Sequence, residues 1–290
     1  LKNLLFILAL VVASQGRATV FPISLKQGFI ITEAIIEGRS VLVILDSGAP
    51  GLVLNQKYYE SNQDSILSCS GIYGDFECRS RLVKRWEWLG VANRNTSALV
   101  TDLSFLERSL NKEVHALIGL SVLHQFYVEI DYDQQVIRLE KDMQEYPTSS
   151  FNRFQYVNHL PVITCKVNGE KKILGLDTGS ECNFLFDFTP ASDQQLQAGT
   201  KPIIIVGTDN KENLKHRMMM DLEVNEYDGA FLSEFIVDFD NDRDVRHLAF
   251  DGMLGQPFLT LFNIIIHPGK QRILLLPREA STPLASAIMP

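Results

Sequence analysis

Two short stretches of the chain put a carboxylate where it could do chemistry. Residues 44–54 read ILDSGAPGLVL and residues 175–185 read GLDTGSECNFL. Asp46 and Asp177 therefore each end an apolar run, and each is followed by a hydroxyl residue and then a glycine, Ser47-Gly48 and Thr178-Gly179. Glycine two positions after the acid permits a sharp turn and leaves backbone N–H groups free to approach the carboxylate. The hydroxyl between them can satisfy a backbone group in a facing loop. One such stretch is an ordinary Asp-initiated turn. Two of them, in equivalent places of two similar units packed about a pseudo-two-fold axis, bring Asp46 and Asp177 face to face. Carboxyl groups at roughly 3 Å in a restricted site cannot both ionise cheaply, so they share one proton and titrate as a pair. The ionised member can take a proton from a bridging water. The protonated member can polarise a carbonyl and stabilise a tetrahedral intermediate.

That geometry needs two matching scaffolds, and the chain is written twice. With Asp46 set on Asp177, IIEGRSVLVILDSGA (35–49) lies over KVNGEKKILGLDTGS (166–180), and Gly38 falls on Gly169 at a tight turn between strands. A second block repeats at a slightly larger offset. ALVTDLS (98–104) lies over EFIVDFD (234–240), setting Leu99 on Phe235 and Asp102 on Asp238. VHALIGLSVLHQFYVEIDYDQQVIRL (114–139) lies over FDGMLGQPFLTLFNIIIHPGKQRILL (250–275), setting Gly119 on Gly255. Two ordered blocks at nearly constant spacing imply an internal duplication, with the length difference absorbed in a surface loop. Gly119 and Gly255 each separate a hydrophobic strand from a short helical turn, and a glycine there lets that element press on the back of the Asp loop.

Local patterns are mainly β. Short β-branched or aliphatic runs at 41–45, 52–54, 126–130, 136–139, 203–206, 264–266 and 273–276 are bounded by Gly, Asp or Pro. Brief helices are expected at 121–125, 257–261 and 103–110. The polar stretch EKDMQEYPTSS (140–150) is the natural seam between the copies. In Met218-Met219-Met220 the three side chains cannot share one face of a strand. The expected fold class is all-β, in two similar lobes.

A formal net charge of −8, without a basic stripe, gives nucleic-acid binding no electrostatic support. His115, His124, His159, His216, His247 and His267 are scattered, with neither HExxH nor paired ligand spacing. Ser121 sits in GLSVL, which lacks the second glycine of a nucleophile elbow. The first residues, LKNLLFILALVVASQGRA, have the form of a secretory signal peptide, expected over 1–18. Cys69 and Cys78 enclose a short loop and read as a local disulfide, leaving Cys165 and Cys182 as the remaining pair; neither pair has zinc spacing. Asn95-Thr96-Ser97 is a glycosylation sequon that matters only in a eukaryotic secretory pathway.

The ordered set DSGA (46–49), LIG (117–119), DTGS (177–180) and MLG (253–255) resembles aspartic peptidases of the pepsin and retropepsin type, over about residues 22–277. The resemblance implies lobes at 19–146 and 147–277, a tail at 278–290, and an active-site cleft between the lobes. It further implies hydrolysis of peptide bonds in an extended polypeptide substrate, with no metal and no cofactor. Asp46 and Asp177 become the catalytic pair, Ser47 and Thr178 cross-link the loops, and Gly48, Gly179, Gly119 and Gly255 support them. Intramolecular pairing of the lobes implies a monomer, and the leader a secreted or periplasmic location. The family closes its cleft with a β-hairpin flap, for which two segments compete: residues 81–95, around Leu89-Gly90, and residues 70–76, which hold Tyr73. Pro50 in the first loop stands where the second has Glu181, so the cleft walls need not match. The alternative is a non-catalytic extracytoplasmic peptide-binding protein using the same cleft.

Overall fold

A computed structural model of the chain describes residues 19–62, 66–71, 74–186, 188, 201–206, 212–224, 231–237 and 249–278. The expected leader, Tyr73, Asp238, His247 and the chain beyond Arg278 lie outside the described residues. The first half supplies β1 (Thr19–Pro22), β2 (Ser24–Lys26), β3 (Phe29–Ile36), β4 (Arg39–Leu45), β5 (Leu52–Asn55), β6 (Ile66–Gly71), β7 (Gly74–Trp88), β8 (Val91–Thr101), helix α1 (Ser104–Leu110), β9 (Ala116–Ile118), β10 (Tyr127–Asp131) and β11 (Val136–Glu140). The second half supplies β12 (Asn152–Arg153), β13 (Gln155–Val157), β14 (Leu160–Val167), β15 (Glu170–Leu176), β16 (Asn183–Leu185), β17 (Lys201–Val206), β18 (Glu212–Val224), β19 (Phe231–Val237), β20 (Gly252–Leu254), a short helix α2 (Gln256–Leu259), β21 (Phe262–His267) and β22 (Arg272–Pro277). The expected helical turn after Gly119 is a 3-10 turn over Leu120–Leu123.

The two halves match strand by strand. One eight-stranded sheet runs β2-β3-β4-β9-β5-β8-β7-β6, and another runs β13-β14-β15-β20-β16-β19-β18-β17, in matching order. In each, the strand that leads into the Asp pairs in parallel with the strand that leads into Gly119 or Gly255, β4 with β9 and β15 with β20. The strand after each Asp loop then returns antiparallel on the other side, β5 and β16. The hairpin turns Glu37-Gly38 and Asn168-Gly169 are left-handed at both residues, with φ of 50° and 83° and of 49° and 81°. That is why a glycine recurs there.

The remaining strands form a six-stranded sheet, β1-β11-β10-β21-β22-β12, which joins the halves. At its centre β10 and β21 pair antiparallel as Val128↔Ile266, Glu129↔Ile265 and Ile130↔Ile264. Exchanging the two copies maps this set of pairs onto itself, so a pseudo-two-fold axis runs between Glu129 and Ile265. The largest buried cluster is continuous across both halves and includes Trp86, Trp88, Val128, Ile130, Phe258 and Ile264. The tryptophan N–H groups are satisfied inside it, by Thr96 Oγ1 at 2.8 Å and Thr32 Oγ1 at 2.7 Å. On the outer faces, Phe29, Val53 and Leu117 cluster in the first lobe, and their counterparts Leu160, Phe184 and Met253 cluster in the second.

One part of the sequence alignment is a residue out of step. Leu99 lies beside Val53 in β5, whereas in β16 the counterpart Phe184 lies beside Ile236. Leu99 therefore corresponds to Ile236, and Ala98, fully buried, to Phe235, also fully buried. The ladder is set by which side chains enter the core, and a slip of one residue would turn Phe235 to the wrong face. The methionine triplet alternates as strand geometry requires: Met218 and Met220 are buried and Met219 is 53% exposed. Cys69 and Cys78 form a disulfide across the β6–β7 hairpin, while Cys165 and Cys182 are free thiols. Residues 81–95 do form two strands about Leu89-Gly90, as the end of β7 and the start of β8.

Gly119 and Gly255 have ordinary extended backbones, so it is space that requires glycine there. A Cβ on Gly119 would sit 2.1 Å from the Ala49 carbonyl oxygen, and one on Gly255 would sit 2.3 Å from that of Cys182 and 2.6 Å from that of Ser180. Those atoms are backbone of the Asp loops and cannot swing away. Gly255→Ala is expected to cost about 3 kcal/mol or more, read as a lower urea midpoint.

Candidate functional site

Each Asp is delivered by the end of a buried strand. Asp46 follows β4 and its N–H donates to the Ile118 carbonyl at 3.0 Å; Asp177 follows β15 and its N–H donates to the Leu254 carbonyl at 2.9 Å. The chain then turns back at once, with Ala49 N–H on the Asp46 carbonyl at 3.0 Å and Ser180 N–H on the Asp177 carbonyl at 3.2 Å. Within each turn the glycine N–H donates to the carboxylate, Gly48 to Asp46 Oδ1 and Gly179 to Asp177 Oδ1, both at 2.8 Å.

Four further hydrogen bonds lock the loops together. Ser47 Oγ donates to the Leu176 carbonyl at 2.7 Å and accepts from Thr178 N–H at 2.9 Å. Thr178 Oγ1 donates to the Leu45 carbonyl at 2.9 Å and accepts from Ser47 N–H at 2.9 Å. Each hydroxyl thus reaches the backbone just before the opposite Asp, and both side chains are buried. The glycines complete the approach. A Cβ on Gly48 would stand 3.0–3.1 Å from the Asp177 carboxyl atoms, and one on Gly179 would stand 2.5–2.8 Å from those of Asp46. Every site residue expected from the sequence is therefore in one place: Asp46 and Asp177 at the centre, Ser47, Gly48, Thr178 and Gly179 between the loops, Gly119 and Gly255 behind them.

The two carboxyl groups approach closely, since Gly48, whose N–H serves Asp46, stands against the Asp177 carboxyl and Gly179, whose N–H serves Asp177, stands against that of Asp46. Burial, followed by the charge and hydrogen bond of Asp177, holds Asp46 well above the usual carboxylate range. Burial also raises Asp177, but Gly179 N–H, the bond to Asp46, Gly48 N–H and the nearby His159 all work against that rise. The pair therefore favours a form that keeps at least one proton. Among the described residues, no three His, Cys, Asp or Glu side chains converge where they could hold a metal ion.

The surroundings are less symmetric than the centre. Gln256, buried behind the second loop, donates to the Thr178 carbonyl at 2.6 Å, and its counterpart in the first lobe is the apolar Leu120. Asn183, also buried, accepts from Gly255 N–H and donates to the Glu234 carbonyl, both at 3.0 Å, where the first lobe has Leu52. Sequence reasoning passed over His159, a half-buried ring whose burial holds it below the usual imidazole range while the Gly48 backbone and the charge of Asp177 oppose that shift. The signal was present: the repeat extends upstream at the same offset, KQGFIITEAII (26–36) over VNHLPVITCKV (157–167), with His159 opposite Gly28. No protein-family model matches the chain, and no curated protein matches it.

Ser47→Ala leaves a buried N–H and a buried carbonyl without partners, at about 1–3 kcal/mol for each group. Thr178→Val removes the mirror-image pair. A double-mutant cycle followed by urea denaturation should give a coupling energy of roughly 0.5–3 kcal/mol between them. Titration supplies a second expectation. Because the folded carboxyls sit above their unfolded values, their contribution to stability is full below the ordinary carboxylate range and is lost as pH rises through the raised values. Asp46→Asn lacks that loss. Its stability should therefore gain on that of the unsubstituted protein as pH rises above the ordinary carboxylate range, measured by denaturation at each pH.

Proposed function

We propose that the chain is an aspartic endopeptidase of the pepsin and retropepsin type, hydrolysing peptide bonds in extended polypeptides bound between its two lobes. The observation that carries this reading is the contact between two carboxyl groups delivered by equivalent loops of a duplicated fold. Buried pairs of acids are costly, and here the hydroxyl, glycine and backbone groups around them hold the acids together. A pair that keeps one proton offers a base and an acid at the same point.

In the reaction, the ionised carboxyl takes a proton from a water held between the two acids, and the water oxygen adds to the peptide carbonyl carbon. The protonated carboxyl gives its proton to the carbonyl oxygen, producing a tetrahedral diol. On collapse, one diol hydroxyl returns its proton to the pair, the C–N bond breaks, and the nitrogen leaves with a proton from the other carboxyl. The products are a carboxylic acid and an amine, and the pair regains its single proton. The Gly48 and Gly179 N–H groups fix the carboxyl planes throughout, so little reorganisation accompanies the charge movement. The β6–β7 hairpin, with β17–β18 as its counterpart, is the better candidate for a flap than the Leu89-Gly90 turn, which ends the same long strand away from the hairpin tip. The Cys69–Cys78 bridge on that hairpin supports an oxidising, secreted or periplasmic destination.

Asp46→Asn and Asp177→Asn should each lower kcat/KM on an extended peptide by about a thousandfold or more, with folding retained. Product analysis by mass spectrometry across acid to neutral pH is the readout. Full activity in either variant would overturn the proposal, and peptide binding without cleavage by the unsubstituted protein would favour a non-catalytic peptide-binding role.

A further inference from the structure

The Gly179 N–H that serves Asp177 Oδ1 at 2.8 Å belongs to the same peptide group as the Thr178 carbonyl, which accepts from Gln256 Nε2 at 2.6 Å. A carbonyl can only accept, so this contact also fixes the orientation of the Gln256 carboxamide. Its Oε1 is left facing the Tyr132 hydroxyl, a long contact at 3.5 Å. Burial pushes Tyr132 far above the usual phenol range, so its hydroxyl stays a donor. Two short hydrogen bonds thus run in one direction through the Thr178–Gly179 peptide and end on the Asp177 carboxyl. When a peptide oxygen accepts a bond, its N–H becomes a better donor. A stronger bond from that N–H to a carboxylate favours the ionised form.

Gln256 is held in this position from both lobes. Its backbone N–H donates to the Ser180 carbonyl at 2.9 Å, so one residue holds the carbonyls on either side of Gly179. From the first lobe, the β2–β3 turn Gln27-Gly28 presses on its stem. Both turn residues are left-handed, with φ of 51° and 86°, and a Cβ on Gly28 would sit 2.6 Å from Gln256 Cβ and 2.8 Å from its Cγ. The first Asp loop has no such support. Leu120 stands there in place of Gln256 and has no donor to offer the Ser47–Gly48 peptide, although the Gly48 N–H reaches Asp46 Oδ1 at the same 2.8 Å. The titratable groups acting on Asp177 are Asp46, across the pair, and His159, whose own range is lowered by burial. Behind Gln256, the Arg278 guanidinium lies over the Tyr132 ring, 5.8 Å from its centroid.

We infer that Gln256 is a positioning residue for the carboxyl pair: by holding the Thr178 carbonyl it strengthens the Gly179 N–H bond to Asp177, so that Asp177 carries the negative charge and Asp46 the proton. Asp177 is then the base toward water and Asp46 the acid toward the carbonyl. These roles in turnover rest on the peptidase reading above; the effect on the ionisation of Asp177 does not.

Two variants remove the donor. Gln256→Leu gives the second lobe the residue of the first, and Gln256→Met keeps an unbranched stem; urea denaturation selects whichever is folded. One measurement is NMR titration of a lone carboxyl carbon, assigned by the signal lost on substituting that Asp. With Asp46→Asn in place, adding the Gln256 variant should raise the Asp177 midpoint by about half a pH unit or more. With Asp177→Asn in place, Asp46 should move by less. An unmoved Asp177, or an equal rise at Asp46, would overturn the inference whether or not the protein cleaves peptides. The other measurement is the pH dependence of kcat/KM on an extended peptide, whose acid limb should move to higher pH by about half a unit or more in the Gln256 variant. An unmoved limb would overturn the inference while leaving the peptidase reading intact. Full activity of Asp46→Asn and Asp177→Asn would overturn that reading and, with it, the roles in turnover, without touching the carboxyl titration.

Discussion

Holding two carboxyl groups against each other inside a protein requires that everything around them resist their separation. Here that resistance comes from the reciprocal bonds of Ser47 and Thr178, each of which ties its own loop to the backbone before the opposite acid. None of the four bonds can form unless both lobes are folded and correctly placed. The carboxyl contact is therefore a property of the assembled pair of lobes and belongs to neither alone. The six-stranded sheet fixes the lobes from below, and Gly119 and Gly255 let β9 and β20 brace each loop from behind without a side chain between.

Against that symmetric frame the asymmetries gain meaning. Gln256 and Asn183 bring buried polar contacts to the back of the second loop, where the first lobe has Leu120 and Leu52. His159 adds a titratable ring on the same side as Asp177. A dyad whose two members had identical surroundings would have no intrinsic preference for which one is ionised. The buried polar contacts behind the second loop have apolar counterparts behind the first, where the exposed Ser121 donates to the Pro50 carbonyl at 3.2 Å.

Much of this was legible before any coordinates. The Asp-hydroxyl-Gly stretches and the later glycines carry strong local demands, a sharp turn and a close backbone approach, which few other residues meet. Short aliphatic runs bounded by Gly, Asp and Pro marked β4, β5, β10, β11, β17, β21 and β22 to within a residue or two, but not the longer β3, β14 and β18, whose apolar residues are interleaved with polar or charged ones. What sequence text left ambiguous was register: VTD and VDF look alike as strings, but only one setting puts Ala98 and Phe235 into the core together. His159 was missed for a different reason. Nothing in its immediate neighbours sets it apart from the other scattered histidines. The single mismatch it makes with Gly28 in an otherwise parallel stretch was the available clue.

The junction of β10 with β21 has a consequence for how such a molecule diversifies. Because the pairs Val128↔Ile266, Glu129↔Ile265 and Ile130↔Ile264 survive exchange of the copies, an isolated half would carry a self-complementary edge and associate only as concentration allowed. Joining the halves in one chain turns that association into an intramolecular step. It also releases each half from having to suit a copy of itself: a substitution in one is no longer imposed on the other. The tether thus lets the two walls of one site differ.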